Sequence, residues 1–178
     1  MAMSKTSLQT FGLFLGLAAI VAAAPFLWTI GGSVKNPGLA VGQPLPKLEG
    51  LGTVNGPLPS AGELEGKVVV VNCWATWCPK CHTGMPDLVK LHKKYGEKVL
   101  FIGLTAEDED ALDDINGFMK KYGIEWPNAY GAADSSLALK AEYIPRYWVV
   151  DRTGKVVWNV ASRGEMGEAI EEALADQG

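Results

Sequence analysis

The sequence is poor in the residues that most functional classes depend on. Its 178 residues contain three cysteines and two histidines. Three cysteines do not make a disulfide framework, which needs several bridges to stand in for a thin core. Both histidines, His82 and His92, lie in the middle of the chain, so no distal histidine is available to join a thiol pair as a metal ligand. Lys and Arg number 16 against 20 Asp and Glu, for a formal net charge of -4, and the cations are scattered. A nucleic-acid binder usually shows a basic stripe, and none is present. There is no biased repeat, and the length suits one ordinary domain plus a tail.

The first feature that is present is an uncharged run. Phe11 to Ile30 holds twenty residues without a charge, rich in Leu, Ala, Phe, Val and Ile. As a helix it would be about 30 Å long, the thickness of a bilayer core. Lys5 precedes it and Trp28 lies near its far end, where interfacial aromatics sit. The expectation is a short N-terminal cytoplasmic segment over 1–10, a single transmembrane anchor over 11–30 and a linker over 31–40. Ala22-Ala23-Ala24 would also suit a cleaved signal, but Pro25 follows and the apolar run continues through Trp28. Either way the rest of the chain is exported.

Residues 41–178 read as one domain. A proline- and glycine-rich lead-in, with a small hairpin expected around residues 48–50, gives way to Lys67–Trp74, an apolar and β-branched run that fits a strand buried on both faces. Apolar residues then recur at helical spacing up to Tyr95-Gly96. Val99–Leu104 is a second buried strand. Asp110–Tyr122 is an amphipathic helix ended by Gly123, and a shorter helix spans Asp134–Tyr143. Two strands, Arg146–Val150 and Lys155–Val160, flank the turn Asp151–Gly154, and a helix over Gly164–Ala175 closes the chain. The order predicts an α/β fold: a mixed sheet flanked by helices, parallel first and antiparallel last.

Between the first strand and its helix stands Cys78-Pro79-Lys80-Cys81. A helix N-terminus offers unpaired N–H groups and a partial positive charge, which stabilise a thiolate on the first cysteine. The second cysteine, one turn on, can attack the resulting mixed disulfide and release the partner. Pro79 fits the first turn, where its missing N–H costs nothing. The redox-active disulfide Cys78–Cys81 would need no further cofactor. Two other readings share the motif. Cys78 to His82 has the C-x-x-C-H form of haem c attachment, and a thiol pair near a histidine can bind Cu(I) as a metal-binding or copper-chaperone module. A complete α/β domain around the motif favours exchange chemistry over both.

The stretch Val70–Cys81, with Val41-Gly42-Gln43-Pro44, Leu64–Lys67 and Ile144-Pro145, resembles the TlpA/ResA-like branch of membrane-anchored, thioredoxin-like oxidoreductases. The resemblance covers residues 41 to 178. It implies a bacterial inner-membrane protein, single-pass, with a monomeric domain facing the periplasm or extracytoplasmic space. The implied activity is reduction of partner disulfides, with electrons from a membrane thiol carrier and clients such as cytochrome c biogenesis factors or metallochaperone thiols. It also implies a cis Pro145 against the cysteine pair, with Ile144 pairing to substrate. Trp77 and Arg146 flank the expected partner surface, while Trp74, Pro79 and Asn72 support the loop. The chain departs from the family twice: Asn72 stands where thioredoxins have a buried Asp, and Gly84 where ResA-like members usually carry Glu. Cys81 therefore has no obvious base. Cys73 reads as buried core, with a third exchanging thiol as the alternative.

Overall fold

A computed structural model of the chain describes residues 36–176. The expected anchor, the segment before it and the first part of the linker lie outside the described residues. Among those described, no helix is long and apolar enough to cross a membrane. In chain order the elements are β1 (Gly52–Val54), α1 (Ala61–Leu64), β2 (Val68–Trp74), α2 (Pro79–Tyr95), β3 (Val99–Thr105), α3 (Leu112–Tyr122), β4 (Asn128–Tyr130), α4 (Ala133–Ala138), β5 (Arg146–Val150), β6 (Val156–Asn159) and α5 (Met166–Ala175).

The strands form one mixed sheet in the order β1-β4-β3-β2-β5-β6. All seven residues of β2 are buried, as expected of a β-branched run covered on both faces. Strand β3 pairs with it in parallel, Val68 opposite Val99, and β5 pairs antiparallel on its other side, Asn72 opposite Tyr147. Side chains alternate along β2. Val68, Val70 and Trp74 join Met85 and Leu88 of α2, Phe118 of α3 and Ile170 of α5 in one core. Val69, Val71 and Cys73 join Ile102, Leu104, Leu139 and Trp148 in a second core on the opposite face. Burying each valine of this strand contributes roughly 1.5–3 kcal/mol, an upper estimate because the unfolded chain is itself partly collapsed. The turn into β6 is as expected, with Gly154 at a φ of 78°.

Four local expectations are corrected. The linker does not run free to residue 40: Leu39 is buried in the second core and its N–H donates to the Leu139 carbonyl at 2.8 Å. Gly38, at a φ of 87°, lies so close to the Trp148 ring that a side chain there would overlap it. The hairpin around 48–50 is absent. Instead β1 pairs with β4, two three-residue strands too short to show an alternating pattern. Helix α3 starts later than Asp110, after a 3₁₀ turn over Glu109–Ala111 whose cap is the Asp108 carboxylate. The short helix α4 stops at Ala138, and Lys140 takes a left-handed φ of 54° that no continuing helix allows.

Candidate active site

The site is built where β2 runs out into α2. Trp74, the last residue of the strand, is buried, donates its Nε1–H to Asn128 Oδ1 at 2.9 Å and stacks on Phe118 with ring centroids 4.5 Å apart. It anchors the loop Ala75–Trp77 from below. From the side, the Glu107 carboxylate accepts the Thr76 N–H at 2.8 Å and also the Thr76 hydroxyl. His82 completes the clamp. One ring nitrogen lies 2.7 Å from the Thr76 carbonyl and the other 2.8 Å from the Tyr122 hydroxyl. Neither Glu107 nor the Thr76 contacts were visible in the sequence, because nothing local marks a partner 31 residues away.

Helix α2 opens on Cys78 as its cap, with Pro79 in the first turn. Cys78 and Cys81 form a disulfide with Cα atoms 5.2 Å apart. The Cys78 sulfur also accepts the Cys81 backbone N–H at 3.2 Å, so the unpaired amides of the helix start already point at the sulfur expected to carry negative charge. Cys78 keeps 4% of its surface exposed and Cys81 none, which leaves Cys78 as the sulfur a partner can reach. Further along, Pro86 cannot donate to the His82 carbonyl, so α2 lacks one rung in its second turn.

The Ile144–Pro145 bond is cis. Pro145 stands one step beyond the Cys73–Arg146 pair of β2 and β5, at the strand end from which the cysteine loop departs. Trp77 is 70% exposed at the lip of the site. Beside it lies a groove of about 460 Å³, lined by Thr76, Trp77, His82, Asp113, Phe118 and Lys121. A larger, apolar cavity between Leu45, Leu58, Leu64 and Ile102 shares no residue with the cysteine site.

The structure separates two residues that the sequence places beside the site. Arg146 sits opposite Cys73 in the register, on the face away from the disulfide. Its guanidinium donates to the Pro145 carbonyl at 3.1 Å and to the Asn36 carbonyl at 3.1 Å. Cys73 shares that face. Burial pushes its thiol up to about 12, with Ser136 and Arg146 acting in the opposite direction. A neutral thiol behind the sheet is poorly placed to exchange with Cys78, and the core reading fits it. Asn72 is on the disulfide side, buried, and its Nδ2 has no hydrogen-bond partner among the described residues. Tyr147, opposite Asn72, is the residue the sequence reading missed. Its hydroxyl reaches α2 at Gly84, and burial, then the charge of Asp87, raises its pKa to about 12. Among the described residues no group of three His, Cys, Asp or Glu side chains converges as a metal site would require.

Comparison with known proteins agrees with this geometry. The family model described as Redoxin matches residues 40–174. The thiol-disulfide oxidoreductase ResA of Bacillus thuringiensis is 33% identical over 117 residues, which cover 63% of this chain and 62% of the relative; the chain thus spans less than two thirds of that protein's length. The thiol:disulfide interchange protein DsbE of Pseudomonas aeruginosa is 28% identical over 146 residues, covering 79% of this chain and 77% of the relative. A solved thiol-disulfide isomerase from Corynebacterium glutamicum superposes with a TM-score of 0.64 at 26% identity, covering 75% of this chain and 97% of that one. The resemblance to ResA-like, thioredoxin-family proteins is borne out.

Proposed function

The chain belongs to the Redoxin family, and from that premise we propose that it is a thiol–disulfide oxidoreductase acting on protein partners. One observation carries the reading: a buried Cys78–Cys81 disulfide at the start of α2, with the Cys78 sulfur already accepting a helix N–H. In the reduced protein the Cys78 thiolate attacks one sulfur of a partner disulfide. The partner's S–S bond breaks, its other sulfur leaves as a thiolate and takes a proton, and a mixed disulfide remains. Cys81 then loses its proton and attacks the Cys78 sulfur, releasing the partner's second thiolate. The partner gains two electrons and the protein ends as the disulfide, to be reduced again by a dithiol donor.

The finer reading places this domain on the outer side of a bacterial inner membrane, anchored through residues 11–30 and monomeric, reducing its clients with electrons from a membrane thiol carrier. The twenty-residue uncharged run supports the anchor, and the resemblance to TlpA/ResA-like oxidoreductases implies the rest. Clients of the cytochrome c maturation or metallochaperone type fit the same support. Trp77, the groove beside it and the Ile144 backbone ahead of the cis proline supply the surface on which a partner strand would lie. Haem attachment at Cys78–His82 is the poorer fit, since the two sulfurs are joined to each other and both His82 nitrogens are engaged.

The test is trapping with the full chain carrying Cys81→Ser. Mixed disulfides with cell-envelope proteins should accumulate through Cys78 and vanish when Cys78→Ser is added. If nothing is captured and the wild-type pair does not exchange with dithiothreitol or glutathione, the reading fails. A Soret band or tight Cu(I) binding on the purified protein would favour the other two uses of the motif. Membrane fractionation of the tagged chain tests the anchor: a soluble product shortened by some two dozen residues would end it.

A further inference from the structure

The two positions at which the family usually provides carboxylates, Asn72 and Gly84, are linked in space by a third residue. Asn72 and Tyr147 are direct partners across β2 and β5, so their side chains leave the sheet on the same face. That face carries Val70, Trp74, Cys78 and Cys81. Tyr147 crosses it until its hydroxyl oxygen lies 2.8 Å from where a Cβ on Gly84 would stand. Real side chains do not approach so closely, so the hydroxyl occupies the space that any larger residue at position 84 would claim. Gly84 follows Cys81 by three residues, one turn of α2, on the same side of the helix. On the sheet face that carries Cys81 the chain therefore offers two donors, the Tyr147 O–H and the Asn72 Nδ2–H, in place of carboxylate acceptors. In the disulfide state Asn72 Nδ2 is buried without a partner, and no hydrogen bond holds the Tyr147 hydroxyl among the described residues.

We propose that Tyr147, with Asn72 beside it, is the positioning residue that receives Cys81 as a thiolate when the disulfide opens. This rests on the exchange reading above. Opening the disulfide leaves both electrons of the broken bond on the Cys81 sulfur, and the two donors hydrogen-bond that anion without transferring a proton. In the resolving direction the Cys81 thiol gives its proton to water and the same donors hold the anion until it attacks the Cys78 sulfur. A tyrosine kept neutral by burial can serve as such a donor across the physiological range but cannot act as a base there. The sense is opposite to that of a buried carboxylate, whose charge would oppose a thiolate beside it.

Lys80, His82 and Asp87 lie on α2; His82 is bonded to Thr76 and Tyr122 of α3, and Asp87 acts on Tyr147. Glu107 is bound to Thr76 and Thr105. Arg146 and Cys73 lie behind the sheet. Helix α5 turns Ala169, Ile170 and Ala173 toward this core.

The test follows the Cys81 titration by its ¹³Cβ shift in the full chain carrying Cys78→Ser, in detergent. Tyr147→Phe keeps the ring and its packing but removes the donor. It should raise the Cys81 pKa by about one unit, a tenfold loss of thiolate at a given pH. Gly84→Ala leaves the hydroxyl in the chain but displaces it, and should shift Cys81 the same way while making the helix itself more favourable. Adding Gly84→Ala to Tyr147→Phe should then change the titration little. An unmoved or lowered Cys81 pKa in Tyr147→Phe overturns the inference, and so does a Gly84→Ala shift that persists undiminished without the hydroxyl. The titration does not depend on turnover. Absence of trapped partners together with failure of the wild-type pair to exchange with dithiothreitol or glutathione would sink the proposed function alone, and the Cys81 shift would still decide this inference.

Discussion

The Glu107 carboxylate accepts the backbone N–H of Thr76 at 2.8 Å, joining the loop before Cys78 to the segment that leaves β3. The same carboxylate accepts the Thr105 hydroxyl at 2.8 Å, so one side chain gathers donors from both strand ends. Glu107→Ala would strand a partly buried amide. It should lower stability by about 1–3 kcal/mol and speed hydrogen exchange at Thr76. Glu107→Gln keeps an acceptor and should cost less. Urea unfolding of the two variants checks this, and equal stability of Glu107→Ala and wild type would remove the clamp.

Gly103 illustrates a glycine required by a neighbour. A Cβ there would overlap Oδ1 of Asn128, the acceptor of the Trp74 indole N–H. Gly103→Ala should therefore destabilise by about 2–4 kcal/mol, through overpacking and loss of that hydrogen bond. The penalty should shrink in an Asn128→Ala background, a coupling that a double-mutant cycle measures directly. Additive effects would show that the side chains do not compete.

The two tryptophans flanking the loop should respond in opposite ways. Trp74 is 1% exposed and Trp77 is 70% exposed. Trp74→Ala should cost about 3–5 kcal/mol in thermal or urea unfolding. Trp77→Ala should stay within about 0.5 kcal/mol of wild type. Its effect should instead be a reduced yield of trapped partners in the Cys81→Ser chain; an unchanged yield would leave Trp77 outside the partner surface.

Cys73 sets an alkaline limit. Burial raises its thiol from an ordinary value of 9.0 to about 12, so the unfolded chain releases this proton first as pH rises. The stability it contributes is complete below the unfolded pKa and is lost as pH climbs through the folded one. Tyr147, raised from 10.0 to about 12, acts in the same sense and window. Stability should therefore fall between roughly pH 9 and 12, and Cys73→Ala should flatten that limb relative to its own neutral value. In the native protein near neutral pH, Cys73 should resist iodoacetamide and react only on unfolding. Rapid native labelling would contradict its burial.

Much of this protein was legible in the sequence for local reasons. The β-branched, mainly apolar run Lys67–Trp74 fitted an interior strand, and a Cys-x-x-Cys shortly after it fitted a helix start, where backbone amides meet the first sulfur. Helical periodicity located α2, α3 and α5, and the Asp151–Gly154 turn located the last hairpin. The missing carboxylates at Asn72 and Gly84 were equally plain. Tertiary structure alone decided what replaces them. Arg146 and Tyr147 are neighbours in sequence and so must point to opposite sheet faces, but only the pairing of β5 with β2 decides which of the two meets the disulfide. That register sends the arginine to Cys73 and Asn36, and the tyrosine to Gly84. The Glu107 clamp, the Trp74–Asn128 bond and the docking of Asn36–Ala40 belong to the same class. Each joins residues far apart in the chain, and no local pattern encodes such a partner.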